Sequence, residues 1–158
     1  DAIKRRCGPR RNQTGLGFQG SYTMLDSQQE IPITNSAGDV TGYSIGPIFG
    51  VSDTSYSAIL AYDRETFSAR LSYFWREEFP DRNEAALFAN PLTIWKSPEK
   101  ALDFQATWVV SDRWTLTFDA TNLTEEVFHE NYGNQPMIFN FNNWFYSRTF
   151  ALGLRFSM

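Results

Sequence analysis

Apolar and polar residues alternate one for one along six stretches of the chain, the period of a β-strand whose two faces differ. From Leu16 to Leu25, Leu16, Phe18, Gly20, Tyr22 and Met24 point one way while Gly17, Gln19, Ser21 and Thr23 point the other. Residues 54 to 62 set Tyr56, Ala58, Leu60 and Tyr62 against Ser55, Ser57, Ile59 and Ala61. Residues 67 to 76 set Phe67, Ala69, Leu71, Tyr73 and Trp75 against Ser68, Arg70, Ser72, Phe74 and Arg76, and only Phe74 breaks the pattern. Residues 101 to 110 oppose Leu102, Phe104, Ala106 and Trp108 to Asp103, Gln105 and Thr107, and residues 113 to 122 oppose Trp114, Leu116, Phe118 and Ala120 to Thr115, Thr117 and Asp119. The last stretch sets Phe150, Leu152, Leu154, Phe156 and Met158 against Thr149, Ala151, Gly153 and Arg155. The spacing predicts an all-β chain of six antiparallel strands in an up-and-down meander, with no helix.

The connections between these stretches run 28, 4, 24, 2 and 25 residues, so long and short alternate. Long unstructured loops are uncommon in soluble antiparallel domains, and here all three would leave one end of the sheet. Transmembrane β-barrels carry this asymmetry, with tight turns on one side and extended loops on the other. Strands of this length also match a tilted crossing of the hydrocarbon layer. Alternation alone does not say which face is wet. The Trp and Tyr residues do bear on it, because Tyr22, Tyr62, Tyr73, Trp75, Trp108 and Trp114 cluster near strand ends, with Trp144 and Tyr146 just before the last strand. Rings with one polar edge favour membrane interfaces, so these positions read as two aromatic girdles. A sandwich core filled by the same aromatics is the competing explanation.

Composition narrows the field. A 16% aromatic share argues against a disordered chain, and the lone Cys7 excludes a disulfide scaffold. No apolar run reaches the roughly 18 residues of a spanning helix, which leaves strand crossings open. Residues 1 to 13 hold five of the 14 basic residues against one of the 18 acidic, so nine face 17 in the rest, or −8. An acidic body lacks the basic face that nucleic acid requires, and residues 1 to 13 are expected to be an irregular basic segment. His129 is the only His, which rules out His-rich metal sites and His-based triads on this chain except through that residue. Asp103 and Asp119 could be read as a carboxylate pair, but a solvated wall explains them more simply. No cofactor and no catalytic residue is implied.

Six strands do not close a known membrane barrel, and an open edge in lipid leaves backbone groups unpaired. The chain is therefore expected to be part of a larger barrel. The stretch from Leu102 to Met158 resembles the C-terminal end of TonB-dependent outer-membrane receptors. It carries the strand Leu102 to Val110, the turn Ser111-Asp112-Arg113, the strand Trp114 to Thr121, the segment Asn122-Leu123-Thr124-Glu125-Glu126 and the closing run Tyr146 to Met158. Thr14 to Thr23 and Ala69 to Arg76 are similar to upstream strands of the same barrel, so the resemblance spans residues 15 to 158. It implies residues 14 to 158 as the C-terminal portion of a barrel of about 22 strands, with plug and earlier strands upstream. It implies the outer membrane of a Gram-negative bacterium, contact with outer-membrane lipid and lipopolysaccharide, and energy from TonB through an N-terminal region not present here. Gly153, Phe156 and Met158 fit the spacing read by the barrel-assembly machinery, although the family usually ends on an aromatic residue; Gly153 could also be a strand kink.

The same resemblance makes the three long loops extracellular and gives them a role in import of a scarce small-molecule ligand, siderophore-bound iron, cobalamin or oligosaccharide. The candidate contact residues are Arg70, Arg76, His129, Tyr132, Asn140 and Trp144. Aromatic faces beside amides, as in the loop that also holds Asn134, Gln135, Phe139 and Phe141, suit a neutral polar ligand or an aromatic chelate. The same residues also fill ordinary loops. Asp26, Glu30 and Asp39 in the first loop and Glu125, Glu126 and Glu130 in the third lean away from strongly anionic ligands. Asn122-Leu123-Thr124 matches a glycosylation sequon that stays bare in a bacterial protein. The alternatives are a passive porin-like channel, an enzymatic outer-membrane barrel and a soluble ligand-binding β-barrel.

Overall fold

A computed structural model describes residues 15–35, 37–84, 92–133 and 139–157, and among them every regular element is a β-strand. The expected basic segment at residues 1 to 13, Asn134, Gln135 and Met158 lie outside the described residues. In chain order the strands are β1 (Gly15–Met24), β2 (Gln29–Thr34), β3 (Val40–Gly46), β4 (Thr54–Asp63), β5 (Phe67–Arg76) and β6 (Phe79–Glu84). There follow β7 (Leu92–Lys96), β8 (Glu99–Ser111), β9 (Trp114–Thr121), β10 (Val127–Tyr132), β11 (Asn140–Phe145) and β12 (Thr149–Phe156).

The six alternating stretches become β1, β4, β5, β8, β9 and β12, which pair in that order into one antiparallel sheet. The expectation that six strands account for the chain is corrected. The three long connections carry six more strands: the β2–β3 hairpin and a four-stranded sheet in the order β11-β10-β7-β6. These were hidden for physical reasons. They are only five to seven residues long, and two contain a proline, which belongs at edges and irregularities. Pro32 lies in the isolated two-stranded hairpin, and Pro80 sits at a break in the β6–β7 register.

The apolar face of the large sheet is uncovered. Its registers align Phe18, Leu60, Leu71, Phe104, Ala120 and Phe150 in one row across all six strands. Leu60, Leu71 and Trp108 are exposed while their polar-face neighbours Ser57, Ser72 and Thr107 are half-buried. Phe18 is 75% exposed and Leu152 73%, and among the described residues the buried apolar side chains are Phe79, Pro80, Ile94 and Ala120. A soluble sheet sinks its apolar face under a second layer; a contiguous exposed apolar surface of this extent requires another partner. Recesses of about 280 and 210 Å³ open on the polar face, lined among others by Ser68, Arg70, Ser72, Asp103, Gln105 and Asp119.

The Trp and Tyr residues of the apolar face gather towards its two ends. Near the long connections Tyr22, Tyr56 and Trp75 share a row, with Tyr56 stacked on Trp75 at 5.0 Å. Near the short turns Tyr62 contacts Phe67, and Trp114 contacts Phe156 at 4.7 Å. Between Tyr56 and Tyr62 six residues of strand span roughly 20 Å, and the row of Leu60, Leu71 and Phe104 there holds neither Trp nor Tyr. Among the described residues β1 pairs only with β4 and β12 only with β9, so both outer edges of the sheet lack a neighbour.

The Asn-Leu-Thr-Glu-Glu segment has a structural task. Asn122 takes a left-handed backbone with φ 54°, and its N–H donates to Asp103 Oδ1 at 2.9 Å. Its Nδ2 donates to the Tyr146 carbonyl at 2.6 Å, and its Oδ1 accepts from Glu126 N–H at 2.9 Å. One side chain thus ties the end of β9 to the chain entering β12. Asn122→Ala removes two of these bonds and places an unfavourable residue at positive φ. The expected loss is about 2 kcal/mol in chemical unfolding of the reconstituted protein. Asn122→Gly, which relieves the backbone but not the bonds, should recover only part.

Candidate functional site

The four-stranded sheet has two unlike faces. Its registers put Phe79, Arg82, Ile94, Lys96, Phe128, Glu130, Tyr132 and Trp144 on one side, and Trp95, His129, Asn131 and Asn143 on the other. Phe79 and Ile94 are its buried apolar anchors, and Asn131 on the opposite face donates to Ser97 Oγ at 3.0 Å.

Charges on the first face are compensated pair by pair. Glu130 is only 5% exposed and meets Arg82 at 3.4 and 3.5 Å, a long pairing that nevertheless offsets burial of the carboxylate. Arg82 also contacts Asp81, whose other oxygen lies 3.1 Å from Lys96 Nζ. Glu99 binds Arg76 through Oε2, at 2.7 Å from Nε and 2.5 Å from the second guanidinium nitrogen. The Arg76 guanidinium in turn lies 4.2 Å above the centre of the Phe79 ring.

Partial burial opposes ionisation of Asp81, but hydrogen bonds from Lys96 and Arg82 outweigh it and hold the carboxyl below its ordinary 3.8. The Glu130 hydrogen bond is the leading cause that raises Arg82, which stays charged throughout the accessible range. A lowered carboxyl contributes stability that is complete above its unfolded value and lost as pH falls through the folded one. Acidification below 3.8 should therefore loosen β6 and β7, read as smaller amide protection factors there once the intrinsic pH dependence of exchange is divided out, whereas raising the pH from neutral should not.

Between these charges and the large sheet lies a cavity of about 470 Å³ lined by Lys96, Glu99, Phe128, His129, Glu130, Trp144 and Tyr146. Phe128 and Tyr146 meet edge to face at 5.4 Å and form its aromatic wall with Trp144. Small-molecule sites commonly combine this size with aromatic surface and a few placed polar groups.

The residues singled out from the sequence divide unevenly. His129 and Trp144 border the cavity, although His129 Nδ1 lies 2.6 Å from Asn143 Oδ1 on the opposite face. Asn140 Nδ2 donates to that same oxygen at 3.1 Å, and the Tyr132 ring packs edge-on against Phe141 at 5.0 Å. Arg76 stands one ion pair away, behind Glu99. Arg70 is six residues further down β5, roughly 20 Å away, in the polar-face recesses of the large sheet. Trp144 and Tyr146, grouped with the girdles by sequence, line the cavity instead. Asp103 spends one carboxylate oxygen on the Asn122 N–H. Gly153 pairs with Thr117, and a Cβ there would press on the Thr117 hydroxyl, so close approach accounts for the glycine.

Lys96, Glu99, Phe128 and Tyr146 were not picked out as site residues. The available signal was the short β-favouring run Leu92-Thr93-Ile94-Trp95-Lys96 ahead of Ser97-Pro98-Glu99. Compared with protein-family models, curated proteins and solved structures, the chain matches none.

Proposed function

We propose that this chain forms six adjacent wall strands of a Gram-negative outer-membrane receptor of the TonB-dependent type, a barrel of about 22 strands that imports a scarce ligand with energy from the TonB system. The observation that carries the reading is the large sheet with its apolar face uncovered. Its apolar side chains are more exposed than many of its polar ones, and Tyr and Trp gather at its two ends. Lipid tails are the solvent that stabilises such a face, and the two interfaces are where amphipathic rings are favoured. The two open edges fit continuation of the sheet into further strands, since unpaired backbone is costly in a bilayer. All three long connections leave one end, which makes the small sheet and its cavity the outward face where ligand is first met.

The membrane part is tested with spin labels at Phe67, Leu116 and Leu154 in lipid vesicles. They should sense dissolved oxygen more than aqueous nickel, and labels at Thr115 and Thr117 the reverse. Labels that are shielded from both reagents at the first three sites would defeat the reading. The transport part predicts that ligand uptake by cells carrying the whole receptor stops when TonB is deleted while surface binding persists. Uptake that survives the deletion would indicate a passive channel.

A further inference from the structure

Resting on that reading, we infer that the cavity between the small sheet and the large one binds a neutral saccharide, with Trp144 as stacking platform and Glu99 as hydrogen-bond acceptor. The first argument is electrostatic. Every charge at or just behind the cavity is paired: Glu99 with Arg76, Glu130 with Arg82, and Lys96 with Asp81. Each of these charges is already neutralised by its partner, so an anionic chelate meets no net positive site and a cationic ligand no net negative one. A neutral ligand needs neither.

The second argument is the placement of polar atoms. Arg76 engages Glu99 through Oε2 alone, which leaves Oε1 with its lone pairs available to accept from hydroxyl groups. Lys96 Nζ spends one contact on Asp81 Oδ1 and retains protons to donate. Acceptor and donor stand beside Trp144 and Tyr146, both exposed. A sugar ring presents this combination in reverse, with an apolar C–H face that lies against an aromatic ring and hydroxyls at its rim that donate and accept. The aromatic face supplies area at low entropic cost, and the paired charges hold the polar atoms in place before the ligand arrives. The volume of about 470 Å³ suits one or two such rings.

The test uses the whole receptor that contains this chain, in lipid bicelles, titrated calorimetrically with a panel of neutral mono-, di- and trisaccharides and, separately, with ferric citrate. At least one saccharide should bind, and Trp144→Ala should weaken it roughly tenfold, the scale of one lost aromatic contact. Trp144→Phe, which keeps an aromatic ring and the apolar volume, should fall between them and guards against misfolding of the alanine variant. Glu99→Gln should bind the saccharide with lower affinity and leave the folded spectrum unchanged. Binding of ferric citrate alone, or of no saccharide by protein whose apolar face is in lipid, overturns the inference and leaves the barrel reading intact. Saccharide binding that is indifferent to Trp144 also overturns it. Protein that folds in water with the apolar face shielded would instead remove the barrel reading on which this rests.

Discussion

Ile94→Ala should detach the small sheet from the rest of the molecule while leaving the large one intact. Ile94 is 0% exposed, between its register partners Arg82 on β6 and Tyr132 on β10. Truncating a fully buried isoleucine costs about 3 kcal/mol through lost burial and the cavity left behind. The small sheet has little to offset that, since among the described residues its other buried apolar side chains are Phe79 and Pro80, and four short strands without a large apolar anchor are marginal. Amide exchange in β7 and β10 should rise by roughly two orders of magnitude, the equivalent of that free energy. Exchange in β9 should not change, because β9 pairs only within the large sheet. Saccharide binding should fall with it, as Lys96, Phe128 and Trp144 are held by the strands that loosen. Unchanged exchange in β7 would show that the ion pairs, and not Ile94, hold the small sheet.

Two different kinds of legibility meet in this chain. The large sheet could be read because a strand of eight to thirteen residues repeats its alternation often enough to be unmistakable, and Phe74 was the one exception in β5. Its register then followed, since slipping one residue would turn Leu71 and Phe104 to the other face. The small sheet could not be read in that way. Five residues give two or three positions per face, and β7 interrupts even those by carrying Trp95 opposite Ile94. Its stability comes from contacts across long sequence separations, such as Arg82 with Glu130 and Asn131 with Ser97, which no local window contains. The candidate residues fared accordingly. His129 and Trp144 were found through their residue types, whereas Glu99 and Tyr146 became cavity residues only because β8 and β12 bring their flanks under the small sheet.

The largest effect expected in the bilayer comes from Leu71→Arg. Leu71 lies in the row between the two aromatic ends, paired with Leu60 and Phe104. An arginine at the midplane of a barrel wall costs about 2–4 kcal/mol, and the cost falls to about 1 or less near the interfaces. Leu154→Arg, in the row of Phe67, Trp108 and Leu116 close to the short turns, should therefore be much milder. Ser72→Arg, on the polar face and opposite Asp103 in register, should be close to neutral. Urea unfolding of the whole barrel carrying each of the three substitutions, in phosphocholine vesicles, measures this order directly. The comparison discriminates because the two readings assign the cost to different variables. In lipid it follows depth along the strand, so the Leu71 variant suffers most whatever its local packing. In a water-soluble body, where a second layer would cover this face, both arginines would be costly, with no dependence on depth along the strand. A steep difference between Leu71→Arg and Leu154→Arg that disappears when the vesicles are replaced by water would tie the stability of this sheet to the hydrocarbon around it.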